Sequence, residues 1–160
     1  MIYRQVNLSC QEDYDLLLGS GLYEDLVNSG LLVCHSELPE STLISPGYKI
    51  IKPEPIPFIS YPYEWCFSQL QDAALTTIRI LKRALEFGMS LKDASAYNIQ
   101  FLRGKPILID TLSFEKYREG APWAAYRQFC QHFLAPLALA SYRDTGMSRL
   151  SQLHIDGIPL

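Results

Sequence analysis

Asp93, Asn98 and Asp110 are the residues whose types and spacing could do chemistry. An acid, an amide five positions later and a second acid closing the apolar run Ile107-Leu108-Ile109 can converge on magnesium and a triphosphate. Phosphoryl transfer asks for these types because it is mostly positioning and charge neutralisation. A carboxylate accepts or orients the acceptor hydroxyl, while hard oxygen ligands hold magnesium against the β- and γ-phosphates. Asn98 supplies an oxygen without adding a negative charge, and the packing of the strand before it would fix Asp110. Asp and Asn also cap helices and bend loops, so an isolated D-x-x-x-x-N by itself reads as a turn. The order of the surrounding elements favours the chemical reading.

Those elements are legible in the apolar spacing. Phe67, Leu70, Ala74, Ile78, Leu81 and Leu85 recur at three- and four-residue steps, predicting a helix that Gly88 ends and that delivers the chain into Ser90-Leu91-Lys92-Asp93. The turn Arg103-Gly104-Lys105-Pro106 predicts a hairpin between Asn98 and Asp110. A further helix is expected from Trp123 to about Ser141, with Trp123, Tyr126, Cys130, Phe133, Leu134 and Leu137 buried, and with a kink or early end at Pro136. Upstream, Ser9-Cys10-Gln11-Glu12 reads as a capping box opening a short helix through Leu16, Leu17 and Leu18. Gly19-Ser20-Gly21 breaks it before a second helix carrying Leu22, Leu26 and Val27. Ile2-Tyr3-Arg4-Gln5-Val6, Leu31-Leu32-Val33 and Tyr48-Lys49-Ile50-Ile51 read as strands. Pro53 to Pro62 is an extended, proline-punctuated connector, suited to a hinge between residues 1–62 and 63–160. Beside it, Trp65 next to Glu64 reads as a core anchor rather than a ligand contact.

Composition excludes several classes of function. With 160 residues, 48% hydrophobic and 19% charged, the chain can bury a core. A formal charge of −3 and the absence of a dense Lys/Arg face argue against nucleic-acid binding. No apolar run approaches the roughly 20 residues of a membrane span, and Met1-Ile2-Tyr3-Arg4-Gln5 lacks a signal-peptide core, so a cytoplasmic protein is expected. Cys10, Cys34, Cys66 and Cys130 form no C-x-x-C pair, and His35, His132 and His154 are scattered, so neither zinc nor a redox motif is expected. Lys49 and Lys52 read as solvent-facing. Arg127 reads as a partner for Asp110 or Glu115 in an internal ion pair, or as a substrate contact. The tail His154-Ile155-Asp156-Gly157-Ile158-Pro159-Leu160 has no polar finish, the pattern of a chain that continues, and its apolar end offers a surface for a homodimer.

The order helix, acid loop, hairpin, acid, helix resembles the C-terminal lobe of protein-kinase-like enzymes, especially the aminoglycoside-phosphotransferase and small-molecule kinase branch. In that family the loop reads His-Gly-Asp-x-x-x-x-Asn, and Asp-Phe-Gly or a relaxed form follows the hairpin. The resemblance implies an α+β, protein-kinase-like fold with a small, incomplete N-lobe and a helical C-lobe. It implies Asp93 as catalytic acid, Asn98 and Asp110 as ligands of magnesium, and ATP between the lobes. Lys92 could touch a phosphate, and Arg4 would stand in for the phosphate-binding lysine, with Glu12 or Glu24 as its partner. The chain departs from the family at Leu91, where His is usual, and at Lys92, where Arg or Gly is usual. Thr111-Leu112 replaces Phe-Gly, and no G-x-G-x-x-G loop is present.

Further phrases, Tyr61-Pro62-Tyr63-Glu64-Trp65, Tyr97-Asn98-Ile99-Gln100-Phe101, Ile109-Asp110-Thr111-Leu112-Ser113-Phe114-Glu115 and Tyr126-Arg127-Gln128-Phe129, resemble the N-terminal region of bacterial proteins labelled SAM-dependent methyltransferases, some called nodulation proteins. The resemblance implies a kinase-like front portion, with the methyltransferase domain downstream as a partner in a longer protein. SAM itself is not expected in this chain. Leu16-Leu17-Leu18-Gly19-Ser20-Gly21 only superficially matches a G-x-G-x-G loop, because Asp15 is four positions before Gly19 and Tyr23 takes the third glycine's place. Two functions follow as expectations. One is a phosphotransferase lobe, active or degenerate, acting on a small-molecule or protein acceptor; the other is a non-catalytic, kinase-like platform for the methyltransferase domain.

Overall fold

The computed structural model describes residues 2–39 and 47–160, with the side chain of Ser148 left aside. Helix and strand are mixed, as an α+β chain requires. Strands β1 (Arg4–Val6), β2 (His35–Glu37) and β3 (Lys49–Pro53) form an antiparallel sheet in the order β1-β3-β2, with Arg4 opposite Ile51 and His35 opposite Pro53. Helices α1 (Gln11–Gly19) and α2 (Leu22–Asn28) lie between β1 and β2 in sequence. The connector contains no helix before a short 3-10 turn at Pro62–Glu64.

Helix α3 (Phe67–Glu86) leads through Gly88, at φ 73°, into β4 (Met89–Leu91). The hairpin of β5 (Ile99–Leu102) and β6 (Lys105–Leu108) turns at Arg103 and Gly104, whose positive φ values of 52° and 77° make the tight, twist-matched turn of a two-residue loop. Strand β7 (Phe114–Lys116) returns antiparallel to β4, placing Leu91 opposite Phe114. This closes a loop that holds Asp93 and Asn98 at one end and Asp110 at the other.

Several elements differ from the sequence reading, each for a physical reason. Helix α3 turns Leu70, Ala73, Ala74, Thr76, Thr77, Ile80 and Ala84 inward, while Phe67, Ile78 and Leu85 of the expected stripe are exposed. The helix is packed from several sides, by α2, β4, β6 and the C-terminal helices, so small residues face the neighbours closely. The hydroxyl of Thr77 is satisfied within the helix, donating to the Ala73 carbonyl at 2.9 Å. The helix expected from Trp123 is three pieces: α4 (Tyr126–Phe129), a π-helical stretch (Cys130–Leu134) and α5 (Ala135–Tyr142). Pro136 cannot donate to the preceding turn, and the wider π turn lets the helix pass without that hydrogen bond. The changed phase leaves Tyr126 and Leu134 exposed and buries Phe129 with Phe133.

At the N-terminal end, Ser9 caps nothing; Leu8–Cys10 is a 3-10 turn, and α1 starts at Gln11 without a side-chain cap. Leu31-Leu32-Val33 makes a single parallel bridge, Leu32 to Leu108, in place of a strand, with the Val33 N–H donating to the Leu108 carbonyl at 2.9 Å. Gly19-Ser20-Gly21 is the break between α1 and α2, with Gly21 at φ 86°. Leu17, Leu22 and Leu26 share one core with Leu70, Ile80, Met89, Phe114 and Phe133, and a smaller cluster of Val6, Tyr14 and Ile51 lies under the sheet.

The choice of inward stripe on α3 is directly testable by urea denaturation. Ile80→Ala should cost about 2–4 kcal/mol, as a large-to-small change at a fully buried site does. Ile78→Ala should cost under roughly 1 kcal/mol at its exposed position.

Candidate functional site

The end of β6 brings Asp110 to the edge of the N-terminal sheet, where the Arg4 guanidinium of β1 forms an ion pair with its Oδ1. The same carboxylate caps the 3-10 turn Thr111–Ser113. Oδ1 accepts from the Leu112 N–H at 3.1 Å, and Oδ2 accepts from the Ser113 hydroxyl at 3.1 Å. Ser113, almost fully buried, in turn accepts from Asn98 Nδ2 at 3.3 Å. Arg4, Asp110, Ser113 and Asn98 therefore form one connected group, and its amide keeps Asn98 Oδ1 for another partner. Glu12 and Glu24 are not the partners of Arg4, and Arg127 is exposed, not paired with Asp110 or Glu115.

Asp93 and Lys92 stand elsewhere on the loop. Asp93 Oδ1 accepts from the Ser95 N–H at 2.9 Å, the Asx turn that its residue type favours. Lys92 Nζ reaches back to Asp13 of α1 at 2.9 Å, and the other oxygen of Asp13 accepts from the Lys116 N–H at 3.0 Å. This places the Lys92 ammonium against α1.

Beside the Arg4–Asp110 pair lies a cleft of about 550 Å³. Its walls are Ile2, Val33, Pro53, Pro55, Ile56, Ile59 and Ile109, with Arg4, Lys52 and Glu54 as its charged residues. The volume and the apolar walls with few charges match those of small-molecule sites. The connector forms one wall and is itself clamped: Gln100 of β5 accepts from the Ser60 N–H and donates to the Ser60 carbonyl, both at 3.0 Å. Trp65 is a core anchor, buried edge-on against Phe101 with its indole N–H donating to Ser60 at 2.9 Å. Lys52 lines the cleft, whereas Lys49 pairs with Glu37 at 3.3 Å. Sequence spacing gave no sign of Lys52, because only the sheet register brings it beside the cleft.

A second polar cluster backs the site. His35 Nε2 and Tyr14 Oη are 2.9 Å apart, Tyr14 donates to Glu37 at 2.9 Å, and Thr111 Oγ1 lies 3.4 Å from His35 Nδ1. Because the Tyr14 proton goes to Glu37, its oxygen accepts from His35 Nε2–H, leaving Nδ1 to accept from Thr111. Burial lowers the pKa of His35, against the raising effect of Glu37. It also raises that of Tyr14, reinforced by Glu37, and pushes Tyr23 up to about 12. The cluster joins α1 and β2 to the residue after Asp110, and nothing in the sequence marked it.

All four cysteines are free thiols. Among the described residues no three His, Cys, Asp or Glu side chains gather to hold a metal ion, and no helix is long and apolar enough to cross a membrane.

Over 101 residues the chain is 42% identical to a protein named nodulation protein NoeA from Rhizobium meliloti (strain 1021), a stretch covering 63% of this chain and 21% of that protein. The chain thus spans about a fifth of that relative's length. No family model matches the chain, and no solved structure matches it.

The half-buried imidazoles set a pH dependence of stability. His35 and His132 both have pKa values lowered by burial, so the folded chain binds fewer protons than the unfolded one. Their contribution is full above the unfolded pKa of about 6.5 and falls as the pH drops below it. Thermal melts from pH 8 to 5 should show this loss, and His35→Gln should flatten part of it.

Proposed function

We propose that this chain is a kinase-like phosphotransferase lobe that binds magnesium-ATP in the cleft beside Arg4 and Asp110. The observation carrying the reading is the convergence of Arg4, Asp110 and Asn98 beside that cleft: Arg4, which lines it, lies 106 positions before Asp110 on a sheet strand, and Asn98 lies 12 positions before Asp110 at the end of the acid loop. In kinases a strand-borne cation meets the phosphates, while the acid after the hairpin and the loop amide hold the metal. In this reading Arg4 on β1 and the pair Asn98 and Asp110 would take those places.

The residues fit the ion. Magnesium keeps several waters and takes one or two carboxylates plus phosphate oxygens, so Asp110 and Asn98 Oδ1 are an adequate protein share. Magnesium would supply neutralisation of the phosphate charge. Releasing Asp110 to it also releases Arg4, whose guanidinium then faces a phosphate at the cleft edge. Ile56, Ile59, Pro55 and Ile109 would cover an apolar, planar group such as a nucleobase. Asp93 would take the proton of an acceptor hydroxyl as its oxygen bonds to the γ-phosphorus and the bond to the β-phosphate oxygen breaks, leaving ADP.

A second reading has its own support. Arg4, Lys92, Asp93 and Asp110 are each bonded to partners inside the chain, as in a module that uses its polar residues for structure. In that reading the chain is a non-catalytic platform for a methyltransferase domain in a longer protein, which accords with a relative of which the matched 101 residues make up 21%.

Isothermal titration with magnesium-ATP separates the two. The phosphotransferase reading expects saturable binding that requires magnesium and is weakened roughly tenfold or more in Asp110→Asn. Absence of nucleotide binding by the folded chain would leave the platform.

A further inference from the structure

One buried amide holds the connector that walls the cleft. Gln100 of β5 is only 4% exposed, and an amide so far removed from water needs partners for both of its ends. Both ends go to the same residue. The Ser60 N–H donates to Gln100 Oε1 and the Ser60 carbonyl accepts from Nε2, each at 3.0 Å. These partners fix the orientation of the amide, since only its oxygen accepts and only its nitrogen donates. The Ser60 hydroxyl oxygen is taken as well, by the indole N–H of buried Trp65 at 2.9 Å. Ser60 cannot shift without loosening three hydrogen bonds.

The rest of the connector has little else to hold it. Its upstream end is fixed where Pro53 of β3 stands opposite His35 and the Glu54 N–H donates to the Cys34 carbonyl at 2.8 Å. Between these two points no backbone hydrogen bond joins residues 55–59 to another described residue. Pro55 and Pro57 have no N–H to offer, and Phe58 and Ile59 are exposed. Yet Pro55, Ile56 and Ile59 of this stretch line the cleft. Ile109, also in the lining, donates its N–H to the Asn98 carbonyl at 2.8 Å, just before β5. The β5–β6 hairpin therefore sets two surfaces of the cleft, Ile109 directly and the connector through Gln100.

We propose that Gln100 sets the width of the cleft, and with it the size of ligand admitted, by pinning the connector through Ser60. The inference rests on the cleft being a ligand site, as the phosphotransferase reading has it, but not on the ligand being magnesium-ATP. Gln100 is a positioning residue: it acts on the ligand through the connector wall. With the pin in place the cleft holds about 550 Å³, enough for one small aromatic molecule between apolar walls. Arg4 and Lys52, against Glu54 alone, give the lining an excess of cations that favours an anionic group on that molecule. Without the pin, residues 55–59 are tied only at their upstream end and can swing outward, which opens the cleft to a larger molecule.

Two anionic aromatic dyes of one chemistry and different size test this in the full chain: anilinonaphthalene sulfonate and its doubled form, bis-anilinonaphthalene sulfonate. Fluorescence titration should show tighter binding of the smaller dye, with shifts of the Ile56 and Ile59 methyl NMR signals placing it in the cleft. In Gln100→Leu the preference should move towards the larger dye by roughly tenfold. Exchange of the Ser60 amide should quicken while the amides of α3 keep their protection. Gln100→Glu keeps an acceptor for the Ser60 N–H and loses the donor, so it should move the preference the same way by less, and it decides the matter if the Leu variant does not fold. An unchanged preference in a folded variant whose Ser60 amide exchanges freely would overturn the inference. So would a rise in uptake of both dyes together, or failure of the smaller dye to bind the unsubstituted chain in the cleft. A chain that takes the dye there but not magnesium-ATP would overturn the phosphotransferase reading alone.

Discussion

The ion pair between Arg4 and Asp110 is the contact on which the rest of the candidate site depends. It ties the first strand of the N-terminal sheet to the residue that ends the hairpin strand β6, across 106 positions of sequence. The Asp110 carboxylate also accepts from Leu112 and Ser113, so one side chain shapes the turn after the hairpin and, through Ser113, the position of Asn98. A carboxylate this sheltered must be compensated, and here cation, amide and hydroxyl share the task.

Two half-buried histidines pack against the segments on either side of the hairpin. His35 connects α1 and β2 to Thr111, immediately after Asp110, while His132 of the C-terminal helix meets the ring of Tyr97 edge-on. Burial lowers the pKa of both rings.

Much of the scaffold was legible in the sequence because it rests on local signals. Gly88 ends α3, Arg103-Gly104 turns the hairpin, and Pro53 to Pro62 excludes helix from the connector; each acts through its own backbone preference. The inward stripe of α3 was misjudged because the helix carries two apolar faces, and spacing cannot tell which one meets the core. Ile78 and Leu85 match the period as well as Ile80 and Ala84 do, yet packing on several sides selects the smaller residues. The three-part helix after Trp123 likewise depends on how the chain accommodates Pro136. Of the site, the types and order of Asp93, Asn98 and Asp110 were readable. The pairing of Arg4 with Asp110, the place of Lys52 and the clusters of His35 and His132 were not, because each is made by tertiary contacts between distant segments.

The most direct test of the central claim is a double-mutant cycle on Arg4 and Asp110, with Arg4→Gln, Asp110→Asn and the pair compared by urea denaturation. If this contact joins the sheet to the acid loop, the two substitutions will be coupled by about 1 kcal/mol or more, as expected for residues in one partly buried network. Additivity within roughly 0.3 kcal/mol would show that the two side chains stand independently and would contradict the account.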